Sequence, residues 1–258
     1  MTDILTVIDL KRTTLTAKTP KNEIIKLYIT FNALMENGEQ YMLLIPMPSD
    51  ICVSSTLAVY KYTEVNKLMS LVPATDDERK TVLNFYNVKR KQKDLIELYD
   101  ENGNNTGKRQ ERTKGNVTPE GTYFSVVEAW VKTVDGKLLL LQRHKDKDFG
   151  LKWECPGGTV ALGESVNEAI VRELYEETGI IADESRFTYL GVTKHSNWFC
   201  HSYLLNLGCA RIDVRLQKEE CTDYKYVGLN ETKGILEELT EGHRETYLKY
   251  RDKLVSIN

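Results

Sequence analysis

Glu173, Glu176 and Glu177 stand at i, i+3 and i+4 in the stretch Arg172-Glu173-Leu174-Tyr175-Glu176-Glu177-Thr178-Gly179. In a helix those positions share one face, so three carboxylates converge. Like charges at this spacing repel, and acids near a helix C-terminus oppose its dipole, each by about a few tenths of a kcal/mol. Something cationic should offset this. Arg172, four residues before Glu176, can pair with it, and a hard divalent cation taking oxygen ligands would neutralise the rest, Mg2+ first and Mn2+ next. A cation held this way can polarise a substrate oxygen and activate water. A lone glutamate cluster is more often a solvated helix face, so the neighbouring residues must decide.

Ser165 and Glu168 have capping-box spacing, Val166 begins the helix, and Gly179 falls where a left-handed C-terminal cap belongs. Val166, Ile170 and Leu174 form an apolar stripe that can anchor the helix to a sheet. Ahead of it, Pro156, Gly157, Gly158 and Gly163 let the backbone approach a ligand closely, and Glu164 adds an acid. Gly158, five residues, Glu164, seven residues, then Arg172 through Ile180 resembles the Nudix box at every defined position. The similarity covers about residues 97–235.

That resemblance implies an α+β fold with a mixed sheet sandwiched between helices, and an Mg2+-dependent hydrolase cleaving a diphosphate bond. It implies that Glu173, Glu176 and Glu177 supply metal ligands and include the general base, and that Arg172 orients them. It further implies that Glu164 supports the loop or a second metal, that the Gly157 carbonyl is an added ligand, and that Gly158 and Gly179 shape the turns. Arg143 resembles the family's phosphate-contacting arginine, with a surface ion pair as the alternative. Glu220, ahead of a late strand, is favoured over Glu219 and Asp223 as a further metal ligand from beyond the box, with a solvated loop acid as the alternative. The physics agrees: a diphosphate is already anionic, so water is repelled until cations take up its charge.

The rest of the chain sets the frame. Its 258 residues suit two units, and 41% hydrophobic with 28% charged residues suits a conventional core. A net charge of -3, from 35 basic and 38 acidic residues mixed along the sequence, gives no field for nucleic acid polymers or anionic lipid. The partner expected is a small diphosphate substrate. Asp3, Asp9, Lys11 and Arg12 interrupt the N-terminal apolar residues, unlike a signal segment. Five cysteines without zinc-type spacing read as a reducing cytoplasm. Cys155 reads as a small buried hydrophobe rather than a nucleophile.

Residues 1–94 read as a small α+β domain of unknown role, with a hairpin over 23–46 turning at Asn37-Gly38 and a helix over 75–94. Lengthening the substrate pocket, making a homodimer and binding a separate partner are its open roles. Residues 95–258 read as the Nudix hydrolase domain: a hairpin over 123–142, strands over 187–193, 199–207 and 224–227, and helices over 166–178 and 234–255. Trp153, Trp198, Phe199 and His201 are candidate pocket aromatics, although core packing is the commoner fate of each. His144 and His195 are weaker candidates, since neither has a metal-ligand spacing.

Two alternatives to hydrolysis stand. Residues 97–130, with Leu98-Tyr99-Asp100, Asn102-Gly103, Gly107 and Arg112, resemble the Nudix subgroup related to isopentenyl-diphosphate isomerase. That chemistry needs a cysteine and an acid flanking an alkene, and an early histidine-rich metal site. Here Thr122-Tyr123-Phe124 stands where one such histidine is expected, and Cys155 does not align. The other alternative is a non-catalytic nucleotide sensor, which has less reason to keep the glutamate set.

Overall fold

The computed structural model describes residues 4–10, 14–47, 51–53, 57–65, 68–90, 95–112, 117–229 and 231–257. The chain divides into two compact units, residues 1–50 with 54–92, and residues 51–53 with 93–258.

The first unit contains β1 (Leu5–Leu10), β2 (Thr14–Lys18), β3 (Ile24–Leu34) and β4 (Gln40–Pro46). After the short β5 (Cys52–Val53), which clusters with the second unit, come β6 (Ala58–Val65), β7 (Leu68–Pro73) and the helix α1 (Asp76–Arg90). The expected hairpin is β3–β4, and Gly38 supplies the positive φ of 81° at its turn. The strands close into an antiparallel barrel because β7 returns to β1, pairing Leu71 with Leu5 and Ser70 with Thr6. Leu5, Leu15, Leu27, Leu44, Tyr60 and Leu71 pack together inside. Val82 of α1 packs on Ala33, Tyr41, Leu43 and Val59. The unit is thus a mixture of strands and one helix, with a barrel closure that local pattern did not suggest.

The second unit begins with a hairpin of β8 (Leu95–Tyr99) and β9 (Asn105–Glu111). Next come β10 (Phe124–Lys132), β11 (Lys137–Arg143), β12 (Trp153–Glu154), β13 (Gly157–Thr159), α2 (Val166–Thr178) and β14 (Ile180–Ile181). The chain continues through β15 (Phe187–Lys194), β16 (Trp198–Asn206), β17 (Cys221–Gly228), a short α3 (Thr232–Ile235) and α4 (Glu241–Ser256). The main sheet runs β12-β11-β10-β16-β15, with β13 also on β10 and β17 also on β11. β10 and β16 are parallel along their whole length. Such central strands are buried on both faces, which is why β10 is almost uninterruptedly buried.

Two expectations need correction. The hairpin over 123–142 is joined only at Lys132 and Leu138; its strands then splay, and β13 takes the place beside β10 through Val126, Val127 and Glu128. That insertion brings the glycine loop into the sheet. The final helix is broken rather than continuous: Leu239 bridges to Trp153, the Trp153 N–H donates to the Glu238 carbonyl, and the Thr240 N–H donates back to Trp153. These bonds hold Leu239 and Thr240 extended, so α4 starts at Glu241. It packs Tyr247, Tyr250 and Leu254 against Trp130, Leu138, Leu190 and Leu204.

Candidate active site

α2 is fixed at both ends. Ser165 accepts from the Glu168 N–H while Glu168 accepts from the Ser165 N–H, and Gly179 caps the other end at φ 72° with its N–H on the Tyr175 carbonyl. Ile170 and Leu174 are fully buried beneath it. The carboxylates of Glu173 and Glu177 are therefore carried into the interior, 8% and 4% exposed, and Glu176 stays half-buried.

Arg172 gathers the box acids. Its Nε and Nη2 donate to the two oxygens of Glu164 at 2.7 and 2.8 Å, its Nη1 to Glu173 at 2.8 Å and Glu176 at 3.2 Å, and Nη2 also to the Thr159 carbonyl at 3.1 Å. The fork to Glu164 is the bidentate geometry that only a guanidinium provides. Burial alone would lower the Arg172 pKa, but Glu173, Glu164 and Glu176 hold it well above its ordinary value.

Glu177 turns the other way, its Oε2 accepting from the Gly157 N–H at 2.9 Å. Burial, followed by the negative charges of Glu154 and Glu173, pushes its carboxyl well above the ordinary range. An oxygen of Glu154, an oxygen of Glu177 and the Cys221 sulfur all lie within 4.8 Å of one another. Burial also raises Glu154, against the opposing pull of Arg143 and Lys147. Glu154 is a site residue that the sequence reading missed; its one signal was its place between Trp153 and the Cys155-Pro156-Gly157-Gly158 run.

Arg143 is held between Glu154 at 2.5 Å and the Asp148 carbonyl at 2.7 Å. Glu220 lies close enough to Glu154 to raise its pKa, and its own carboxylate is in an ion pair with Lys147. The Glu220 backbone is tied in by the His144 N–H.

The two loop glycines have different steric reasons. A Cβ on Gly157 would stand 2.2 Å from the Val127 carbonyl oxygen, inside the sheet, whereas one on Gly158 would stand 2.4 Å from the Glu173 carboxyl carbon. Gly157→Ala is expected to destabilise the unit. Gly158→Ala is expected to keep the fold and displace Glu173, lowering turnover by about 10²-fold, as misplacement near 1 Å does. Thermal melts and turnover of both variants check this; equal losses of stability would refute the distinction.

A cavity of about 640 Å3 opens beside this loop, walled by Gly157, Gly158, Glu154, Arg143 and Lys147 at one part and by Phe124, Lys194, His195 and Trp198 at another. Trp198 stacks on His195 at 4.5 Å between ring centres. Of the other aromatics considered, Trp153 belongs to the core with Lys225 over its ring at 3.9 Å, because its backbone is bound to residues 238–240. Phe199 is buried, and His201 stacks on Tyr189 instead of facing the cavity. His144 faces Asp146 at 3.5 Å.

The profile of the NUDIX domain matches residues 122–250, half of the chain, and contains every residue of this site. The chain belongs to the Nudix family. It is 30% identical over 145 residues to an uncharacterized Nudix hydrolase of Listeria monocytogenes, covering 54% of this chain and 82% of that one. It is 40% identical over 87 residues to the 8-oxo-dGTP diphosphatase of Haemophilus influenzae, covering 32% and 62%. Of a Caenorhabditis elegans Nudix relative it spans 20%. The crystal structure of DR0079 from Deinococcus radiodurans superposes with a TM-score of 0.51 at 17% identity, covering 60% of this chain and 98% of that one, and shows the shared Nudix fold. No helix among the described residues is long and apolar enough to cross a membrane.

Proposed function

We propose that the chain is an Mg2+-dependent Nudix hydrolase that cleaves the diphosphate bond of a nucleoside-diphosphate-linked or related small molecule. The observation that carries this reading is the set of buried carboxylates, Glu154, Glu173 and Glu177, packed around the Gly157-Gly158 loop at a cavity wall. Carboxylates this close, with oxygen-only chemistry on the helix side, fit a hard cation. Glu173, Glu176, Glu177 and the Gly157 carbonyl would hold it, with Glu164 and Glu220 as outlying acids. Bound there, Mg2+ supplies electrophilic stabilisation of charge developing on the phosphates.

The protein's own groups supply the rest. Arg172 fixes the directions of Glu164, Glu173 and Glu176. Arg143 and Lys147 add positive charge to the cavity wall for the anionic phosphates. One of the box carboxylates accepts the proton of the attacking water. Trp198 and Phe124 offer aromatic surface to the group attached to the phosphates. The barrel unit is read as a separate N-terminal domain, for which lengthening the pocket, making a homodimer and binding a separate partner are the open roles. The free Cys155, Cys200, Cys209 and Cys221 support a reducing cytoplasmic setting.

The isomerase reading is less well supported. Its cysteine and acid must flank the substrate, but Cys155 is 1% exposed and 3.8 Å from Glu128, too close for an alkene between them. The test is a screen of nucleoside triphosphates, dinucleotides, sugar nucleotides and isoprenoid diphosphates with Mg2+ or Mn2+, with products identified by mass. Cleavage at a phosphorus anhydride is expected. Isomer formation without cleavage, or binding without any product, would sink the hydrolase reading.

A further inference from the structure

Glu128 is a puzzle that diphosphate hydrolysis leaves unexplained. It lies in the middle of β10 and is 2% exposed. A carboxylate taken from water needs several compensating partners. Trp130 Nε1 and the Ser202 hydroxyl donate to its Oε1 at 2.9 and 2.6 Å, and the Thr246 hydroxyl donates to its Oε2 at 3.0 Å. Among the described residues no lysine or arginine pairs with it. Its Oε2 instead faces two ligand-type atoms, Cys155 Sγ at 3.8 Å and His243 Nε2 at 3.6 Å, and all three atoms lie within 4.8 Å of one another.

The two separations from Glu128, 3.8 and 3.6 Å, lie a few tenths of an ångström above those of a formed tetrahedral centre. Bonds of about 2.3 Å to sulfur, 2.0–2.1 Å to imidazole nitrogen and 2.0–2.2 Å to carboxylate oxygen place the ligand atoms about 3.3–3.7 Å apart. The orienting groups are also present. Thr240 stands at the N-cap of α4 yet makes no side-chain cap bond; its hydroxyl meets His243 Nδ1 at 2.7 Å and turns Nε2 toward Glu128. Fixing one ring nitrogen so that the other can ligate is how metal-bound histidines are held, and the bonds from Trp130, Ser202 and Thr246 orient the carboxylate in the same way. Glu128 and His243 also line the cavity.

We propose that Glu128, Cys155 and His243 form a second metal site, distinct from the box carboxylates, that takes Zn2+ or a cation of similar softness and has its fourth position on the cavity side. The sulfur and nitrogen donors separate it chemically from the box, whose oxygen donors suit Mg2+. Three protein ligands with one open position is the arrangement of zinc sites that bind a substrate or water.

Co2+ added to the full chain in saturating Mg2+ tests this by absorption spectroscopy. One equivalent is expected to give a thiolate-to-cobalt charge-transfer band and the visible bands of tetrahedral Co2+. Cys155→Ser should remove the charge-transfer band, and His243→Ala should weaken Co2+ binding at least about tenfold. Cys221→Ser should retain the band. No charge-transfer band in the natural protein, a band that survives Cys155→Ser, or one lost in Cys221→Ser would overturn the proposal. Should Cys155→Ser fail to fold, His243→Ala decides, because its side chain is 19% exposed and unchanged Co2+ affinity in it would overturn the site.

Discussion

Glu177→Gln is expected to lower kcat for diphosphate cleavage by about 10²–10⁴-fold, the range associated with loss of a positioned acid–base or metal-orienting carboxylate, while leaving the metal-free protein no less stable. The two effects have one cause. Glu177 is buried among Glu154 and Glu173, so without a cation its negative charge is a burden that the neutral amide removes. The amide oxygen can still accept from the Gly157 N–H. Glu176→Gln should lose activity as well, but it also removes charge facing Arg172, so no stability gain is expected from it. Steady-state turnover and chemical denaturation in chelator, on the natural protein and both variants, check this. Turnover of Glu177→Gln within threefold of the natural protein would show that the buried carboxylate has no part in the reaction.

Arg172→Ala is expected to cost the Nudix unit about 3 kcal/mol, the lower end for removing one partner of a buried ion pair. The loss comes from the acids left behind: Glu164, Glu173 and Glu176 would face one another without the guanidinium that now donates to all three. Arg172→Lys should recover little, since an ammonium cannot make the two-pronged contact with Glu164. Mg2+ should return part of the loss, because it binds the folded arrangement of the same acids. Denaturant unfolding with and without Mg2+ reads both effects. A loss below about 0.5 kcal/mol, the usual size for a surface pair, would mean that solvent already screens the cluster.

The part of the site carried by one helix was readable in the sequence because its determinants are local. A capping box, an i, i+3, i+4 set of acids and a left-handed glycine fix where α2 begins, which way it faces and where it stops. Glu154, Glu128 and His243 were not readable, because their roles arise only when β10 and β12 are gathered into one sheet on either side of β11 and α4 arrives from more than a hundred residues after β10. Trp153 takes the commoner of the two fates open to it in the sequence: next to a glycine loop it could have lined the pocket, but pairing with residues 238–240 turns it to the core. The same pairing breaks the C-terminal helix that periodicity drew as continuous. In the first unit, the β3–β4 hairpin was visible through Asn37-Gly38, whereas closure depends on Leu5 meeting Leu71, a contact between residues far apart in the chain.

That closure also limits how the first unit can meet other molecules. A sheet with open sides can recruit a peptide as one more strand, or stack edge to edge with copies of itself. Here β1 and β7 spend their outer hydrogen-bonding sides on each other where Leu5 meets Leu71 and Thr6 meets Ser70, so along that seam strand addition is closed to the barrel. A molecule engaged at that seam must be recognised by side chains on the surface and connecting turns, and the specificity of that recognition can change without disturbing the backbone ladder beneath it.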